Sequence, residues 1–195
     1  MTMAFDDPDS APDAALLTLY ANGDAEAARL LAARLLPRVL AHAERLLGSR
    51  AEAEDVAQEA MLRLWRIAPA WRQGEAQVST WLYRVTANLC IDRLRRARPV
   101  PLEEAPEIAD GHAGPAARMQ EAERATALKA ALMRLPARQR EAVVLRHMEE
   151  LGNPEIAEIM ETSVEAVESL LARGKRALAA DLAGRRAELG YTDDG

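Results

Sequence analysis

Apolar residues recur at spacings of three, four and seven along most of the chain and almost nowhere alternate with period two. This periodicity predicts helices near 12–21, 25–35, 37–47, 51–67 and 80–97, then near 118–134, 137–149, 154–160 and 164–183, and no strands. The punctuation agrees. Pro37 and Pro136 stand where a first helical turn tolerates proline, and Gly48 can end one helix before Ser49 and Glu52 form a capping box for the next. Asn153, as N-cap, and Pro154 open a short apolar set at Ile156, Ala157 and Met160. Ser163 caps a longer set in which Val164, Val167, Leu171 and Leu178 share one face. Helices joined this tightly cross steeply. A DNA-reading helix-turn-helix offers its second helix to a major groove in that way, although an ordinary corner of a helical core has the same signature.

The two helical blocks are separated by residues 99–117, which hold four prolines, two glycines, four acidic side chains and no basic one. Such a stretch buries little and reads as a flexible linker. The expected architecture is therefore all-α, with two small helical domains over 12–98 and 118–183, a disordered N-terminus over 1–11 and a tail over 184–195. Hydrophobic residues make up 49% of the 195 positions but aromatics only 4%, so the cores must be aliphatic. No apolar run is long enough to span a membrane, and the acidic start MTMAFDDPDSAPD lacks the features of a signal peptide. A cytoplasmic protein without membrane insertion is expected. Cys90 stands alone, and His42, His112 and His147 are far apart, which argues against a disulfide framework, a zinc site or any cofactor. Cys90 reads as a small buried residue. An enzyme is not expected: there is no glycine-rich phosphate loop and no nucleophile with a companion base.

Charge sharpens the picture through its distribution. The net charge is −6, yet residues 84–98 carry Arg84, Arg93, Arg95, Arg96 and Arg98 against Asp92 alone. A second basic cluster comprises Arg173, Lys175, Arg176, Arg185 and Arg186. Basic stripes on an acidic body attract phosphate locally while keeping overall affinity low. In the 51–67 helix, Ala53, Val56, Ala60, Leu64 and Ile67 make the buried stripe and leave Asp55, Gln58, Glu59 and Leu62 elsewhere. In the 80–97 helix, Leu82, Val85 and Leu89 face inward and Arg84, Asn88 and Arg95 form a polar stripe that Arg93, Arg96 and Arg98 extend. Trp71, Trp81 and Tyr83 lie nearby. Such rings suit unstacked bases, but Trp81 is assigned to the core. Gly174, inside the last helix, implies a close backbone approach.

The segments AEDVAQEAMLRLWR (53–66), STWLYRVTANLCIDRLRRARP (79–99) and LPARQREAVVLRHMEEL (135–151), followed by the helix-turn-helix, resemble a bacterial sigma factor of the extracytoplasmic-function group. The resemblance covers regions 2 and 4 of that family, in its order, over residues 12–183. It implies a transcription initiation factor acting in a stress or environmental response, with core RNA polymerase and promoter DNA as partners and an anti-sigma factor as regulator. Asp55, Gln58 and Glu59 match the positions that dock on polymerase. Arg84, Asn88, Arg93, Arg95 and Arg96 fall on the helix that meets the minus-ten element, and Gln73, Glu75 and Gln77 in the loop before it are candidates for a flipped base. Glu165, Glu168, Ser169, Ala172, Arg173 and Arg176 face a minus-thirty-five element. Two departures stand out: Glu161 where the family often has glycine in the turn, and Glu168 and Leu170 where lysine and arginine are common. A carboxylate can still accept from cytosine N4. The competing expectation is a sigma-like mimic that sequesters an anti-sigma factor without binding DNA.

Overall fold

The protein is described from a computed structural model in which the described residues are 11–72, 77–96 and 115–183, without the side chains of 115–122. All their regular structure is helical: α1 (Asp13–Ala21), α2 (Ala25–Leu47), α3 (Arg50–Ile67), a 3-10 turn (Ala68–Ala70), α4 (Val78–Arg96), α5 (Pro115–Arg134), α6 (Ala137–His147), α7 (Asn153–Ile159) and α8 (Val164–Ala183). They divide into two compact units, the first made of the described residues through Glu44 with Ala51–Arg96, the second of Arg45–Arg50 with the described residues from 115 onward. The expected linker and tail lie outside the described residues, except that 115–117 already belong to α5. Of the expected N-terminal disordered stretch only Ala11 is described, and it is buried.

In the first unit, one helix replaces two expected ones. Pro37 lies inside α2, not at a helix start. A proline there removes the hydrogen bond to the carbonyl four residues back, at a cost of about 3 kcal/mol. The helix continues because its buried stripe, Ala27, Leu31, Leu35, Val39 and Ala43, runs through Pro37 without a change of phase. Asp24 caps the start, its Oδ1 accepting from the N–H groups of Glu26 at 2.9 Å and Ala27 at 3.1 Å. Gly48 follows the last residue of α2 with φ +75°, the left-handed conformation that ends helices. Leu16 and Leu17 of α1, Leu31 and Leu35 of α2, Leu64 of α3 and Leu82 of α4 meet in one aliphatic core. Trp71 and Trp81 pack on its edge, edge to face with ring centroids 6.1 Å apart. Cys90 is buried and free.

In the second unit, α8 packs on α5, α6 and α7, and α6 also on α7. α7 is capped one residue earlier than expected: Gly152 is its N-cap, and the Glu155 carboxylate accepts from the Gly152 N–H at 2.9 Å. Asn153 is already helical, and its carbonyl oxygen Oδ1 is buried without a hydrogen-bond partner. Ser163 does cap α8, its Oγ accepting from the Ala166 N–H at 3.2 Å. Between the two helices Glu161 adopts φ +49°, a left-handed position that favours glycine, while the Thr162 N–H reaches back to the Ala157 carbonyl at 3.0 Å. Arg138 donates to the Met160 carbonyl at 3.1 Å and Arg140 to the carbonyls of Met133 at 3.0 Å and Leu135 at 3.1 Å, so α6 supplies side-chain caps to the ends of α7 and α5. Gly174 is buried on α8. A Cβ there would stand 2.7 Å from Val143 Cγ2 of α6 and 3.5 Å from the Gln139 carbonyl oxygen, so the close neighbour is a side chain where a backbone was expected.

Candidate functional site

Two helix faces collect the candidate residues, one in each unit. On α3, burial of Ala53, Val56, Ala57, Ala60 and Leu64 turns Asp55, Gln58, Glu59 and Leu62 outward together. Leu62 is 49% exposed, an apolar centre in a polar row. Glu59 accepts from Arg63 Nε at 2.8 Å, and this hydrogen bond holds its carboxyl below the usual range. Asp55 is 66% exposed at its side chain and paired with Arg93 of α4, both terminal nitrogens lying 3.3 Å from Oδ2.

That pairing changes the reading of α4. Thr80, Leu82, Tyr83, Thr86, Ala87 and Cys90 form its buried side, and Asn88, Asp92, Arg95 and Arg96 are exposed. Arg84 is half-buried. Arg93 follows Arg84 by nine residues, which at 3.6 residues per turn is half a turn away. It therefore leaves the stripe of Arg84, Asn88 and Arg95 that it was expected to extend, and turns to α3. Sequence reasoning missed this contact, although the phase of Arg93 on the helix was readable. Tyr83, which lies near the basic stripe in sequence, is buried against His42 with ring centroids 5.0 Å apart. Gln77 is exposed, whereas Gln73, Glu75 and Arg98 lie outside the described residues.

On α8, Val167, Leu171 and Gly174 face the core and Glu165, Glu168, Ser169, Ala172, Arg173 and Arg176 are all exposed. Leu170 is half-buried and stands outside that row. Glu165 sits over the first turn: its own backbone N–H, and then the Ser163 side chain, hold its carboxyl below the usual range. Arg173 Nε donates to the Ser169 carbonyl at 3.2 Å and Arg176 Nε to the Ala172 carbonyl at 3.3 Å, laying both guanidinium groups along the helix. Arg134 of α5 braces the far end of α8, its Nε donating to Asp181 Oδ1 at 2.7 Å. Beside the row, His147 is held below its usual pKa by partial burial, then by the charges of Lys175 and Arg146. Arg185 and Arg186 lie outside the described residues. Among the described residues no cluster of His, Cys, Asp or Glu could hold a metal ion, and no helix is long and apolar enough to cross a membrane.

Comparison with known proteins follows the same division. Residues 31–100 match the family model Sigma-70 region 2, and residues 125–178 match Sigma-70, region 4. The ECF RNA polymerase sigma factor SigM of Mycobacterium tuberculosis is 38% identical over 171 residues, covering 86% of this chain and 83% of SigM. SigG of the same species is 33% identical over 165 residues, 72% of this chain, but the chain spans only 44% of the length of SigG. The solved structure of CnrH in complex with the cytosolic domain of CnrY superposes with a TM-score of 0.65 at 27% identity, covering 88% of this chain and 97% of that one.

Proposed function

Because the chain belongs to the extracytoplasmic-function group of RNA polymerase sigma factors, we propose that it is a cytoplasmic transcription initiation factor that recruits core RNA polymerase to a restricted set of promoters in response to stress. The observation that carries the reading is the pair of exposed charged faces on the two family-matched regions: Asp55, Gln58, Glu59 and Leu62 on α3, and Glu165 to Arg176 on α8. In this reading the α3 row docks on polymerase, with Leu62 as the desolvated centre and the carboxylates around it. Arg84, Asn88, Arg95 and Arg96 meet the minus-ten strand, where exposed cations suit unpaired DNA. The α8 row enters the major groove at the minus-thirty-five element, Arg173 and Arg176 on phosphate or base and Glu168 accepting from a base. The protein works without a cofactor, and catalysis belongs to the polymerase.

An anti-sigma factor that covers these faces is the regulator this reading calls for. Its support is the CnrH relative, solved with a protein partner, the cytosolic domain of CnrY. The second reading, a mimic that binds such a partner and no DNA, draws on the exposed carboxylates Glu165 and Glu168 where a phosphate-seeking helix would carry cations. Runoff transcription with purified core polymerase on a pool of genomic promoter fragments separates the two. Transcripts from a discrete subset are expected. No transcript from any fragment would overturn the initiation reading in favour of the mimic.

A further inference from the structure

Arg93 is the one candidate arginine of α4 whose side chain the fold turns away from the exposed stripe. Arg95 and Arg96 stand in solvent, whereas the Arg93 side chain is only 35% exposed and reaches across to α3. There both its terminal nitrogens converge on Oδ2 of Asp55 at 3.3 Å. The pair is asymmetric: the cation is the more covered partner and the carboxylate, 66% exposed, is the outer one. Convergence on a single oxygen leaves Oδ1 as an acceptor for a donor from outside the molecule. Both terminal nitrogens bear on the same oxygen, so the guanidinium holds Oδ2 against α4 while the rest of the carboxylate faces outward.

We propose that Arg93 is a positioning residue of the polymerase-docking face, fixing the Asp55 carboxylate from behind, and that it makes no contact with promoter DNA. The proposal rests on the reading that Asp55 docks on core polymerase. It removes Arg93 from the DNA-binding set and leaves the minus-ten stripe to Arg84, Asn88, Arg95 and Arg96. Alone, an exposed ion pair contributes little to folding, so the effect of Arg93 is to appear in binding and not in stability.

The test is a double-mutant cycle on the full chain, with Kd for core polymerase measured for wild type, Arg93→Gln, Asp55→Asn and the double variant, and thermal unfolding followed in parallel. Arg93→Gln is expected to weaken core binding about two- to five-fold in the wild-type background and not at all beside Asp55→Asn, with the melting temperature unchanged. Arg93→Lys is expected to restore part of the loss. At saturating polymerase, Arg93→Gln should leave binding to a forked minus-ten probe unchanged. An equal loss in both backgrounds would mean direct contact with polymerase, and a loss of probe binding would mean contact with DNA; either overturns the proposal. If Asp55→Asn weakens core binding while Arg93→Gln does nothing, the proposal fails and the docking reading stands. If Asp55→Asn has no effect, the docking reading of Asp55 fails and the proposal with it.

Discussion

Glu141 lies on α6 within a stretch, Arg140 to Leu145, in which every residue is buried. Its Oε2 has no hydrogen-bond partner, and burial pushes the carboxyl up to about 7, opposed only by the charge of Arg138. The folded state therefore holds a proton that the unfolded chain releases near pH 4.5, and stability falls as pH rises from there through about 7. Glu141→Gln keeps the shape and removes the charge. It should raise stability at pH 8 by up to about 3 kcal/mol and change little at pH 5, readable as denaturant midpoints across that range. Sequence reading passed over Glu141, because a glutamate amid charged neighbours looks solvated until neighbouring helices cover it. Asp55 and Glu59 were legible for the opposite reason: four residues apart on a helix with a clear apolar stripe, they could only face outward together.

At the scale of elements, hydrophobic phase told more than punctuation. Pro37 pointed to a break, yet Leu31, Leu35 and Val39 already kept one face at intervals of four across it, and the helix follows the stripe. Asn153 beside Pro154 suggested a cap, but the Glu155 carboxylate reaches Gly152 and moves the boundary by one residue, a choice decided by side-chain reach that periodicity does not encode. Gly174 was legible, since a glycine within a strong helical pattern needs a packing reason. Its reason is Val143. Gly174→Ala gains about 1 kcal/mol of helix propensity but drives a Cβ to 2.7 Å from a buried methyl, and overpacking of that kind costs about 1–3 kcal/mol. The single variant should thus be neutral to destabilising, by up to about 2 kcal/mol. Beside Val143→Ala, which clears the space, the same change should stabilise by up to about 1 kcal/mol. Thermal or urea unfolding of the four proteins reads both, and equal effects in the two backgrounds would deny that Val143 is what excludes a side chain.

For the whole molecule, the order of its motifs was the readable feature, and the matched regions at 31–100 and 125–178 repeat that order. Which charges pair across helices was not readable, because Asp55 and Arg93 are 38 positions apart and only packing joins them. The net charge of −6 limits what the free chain can do with DNA. Duplex promoter fragments should bind it weakly at physiological salt and gain sequence preference only with core polymerase present, as fluorescence anisotropy of a labelled fragment would report. Tight, specific binding by the chain alone would contradict this. The buried carboxyl of Glu141 also makes the proton itself a ligand of the native state. Its occupancy stabilises the fold by mass action, as a small molecule that binds the folded chain more tightly than the unfolded one would, so that mild acidification acts on the stability of this unit from inside its core.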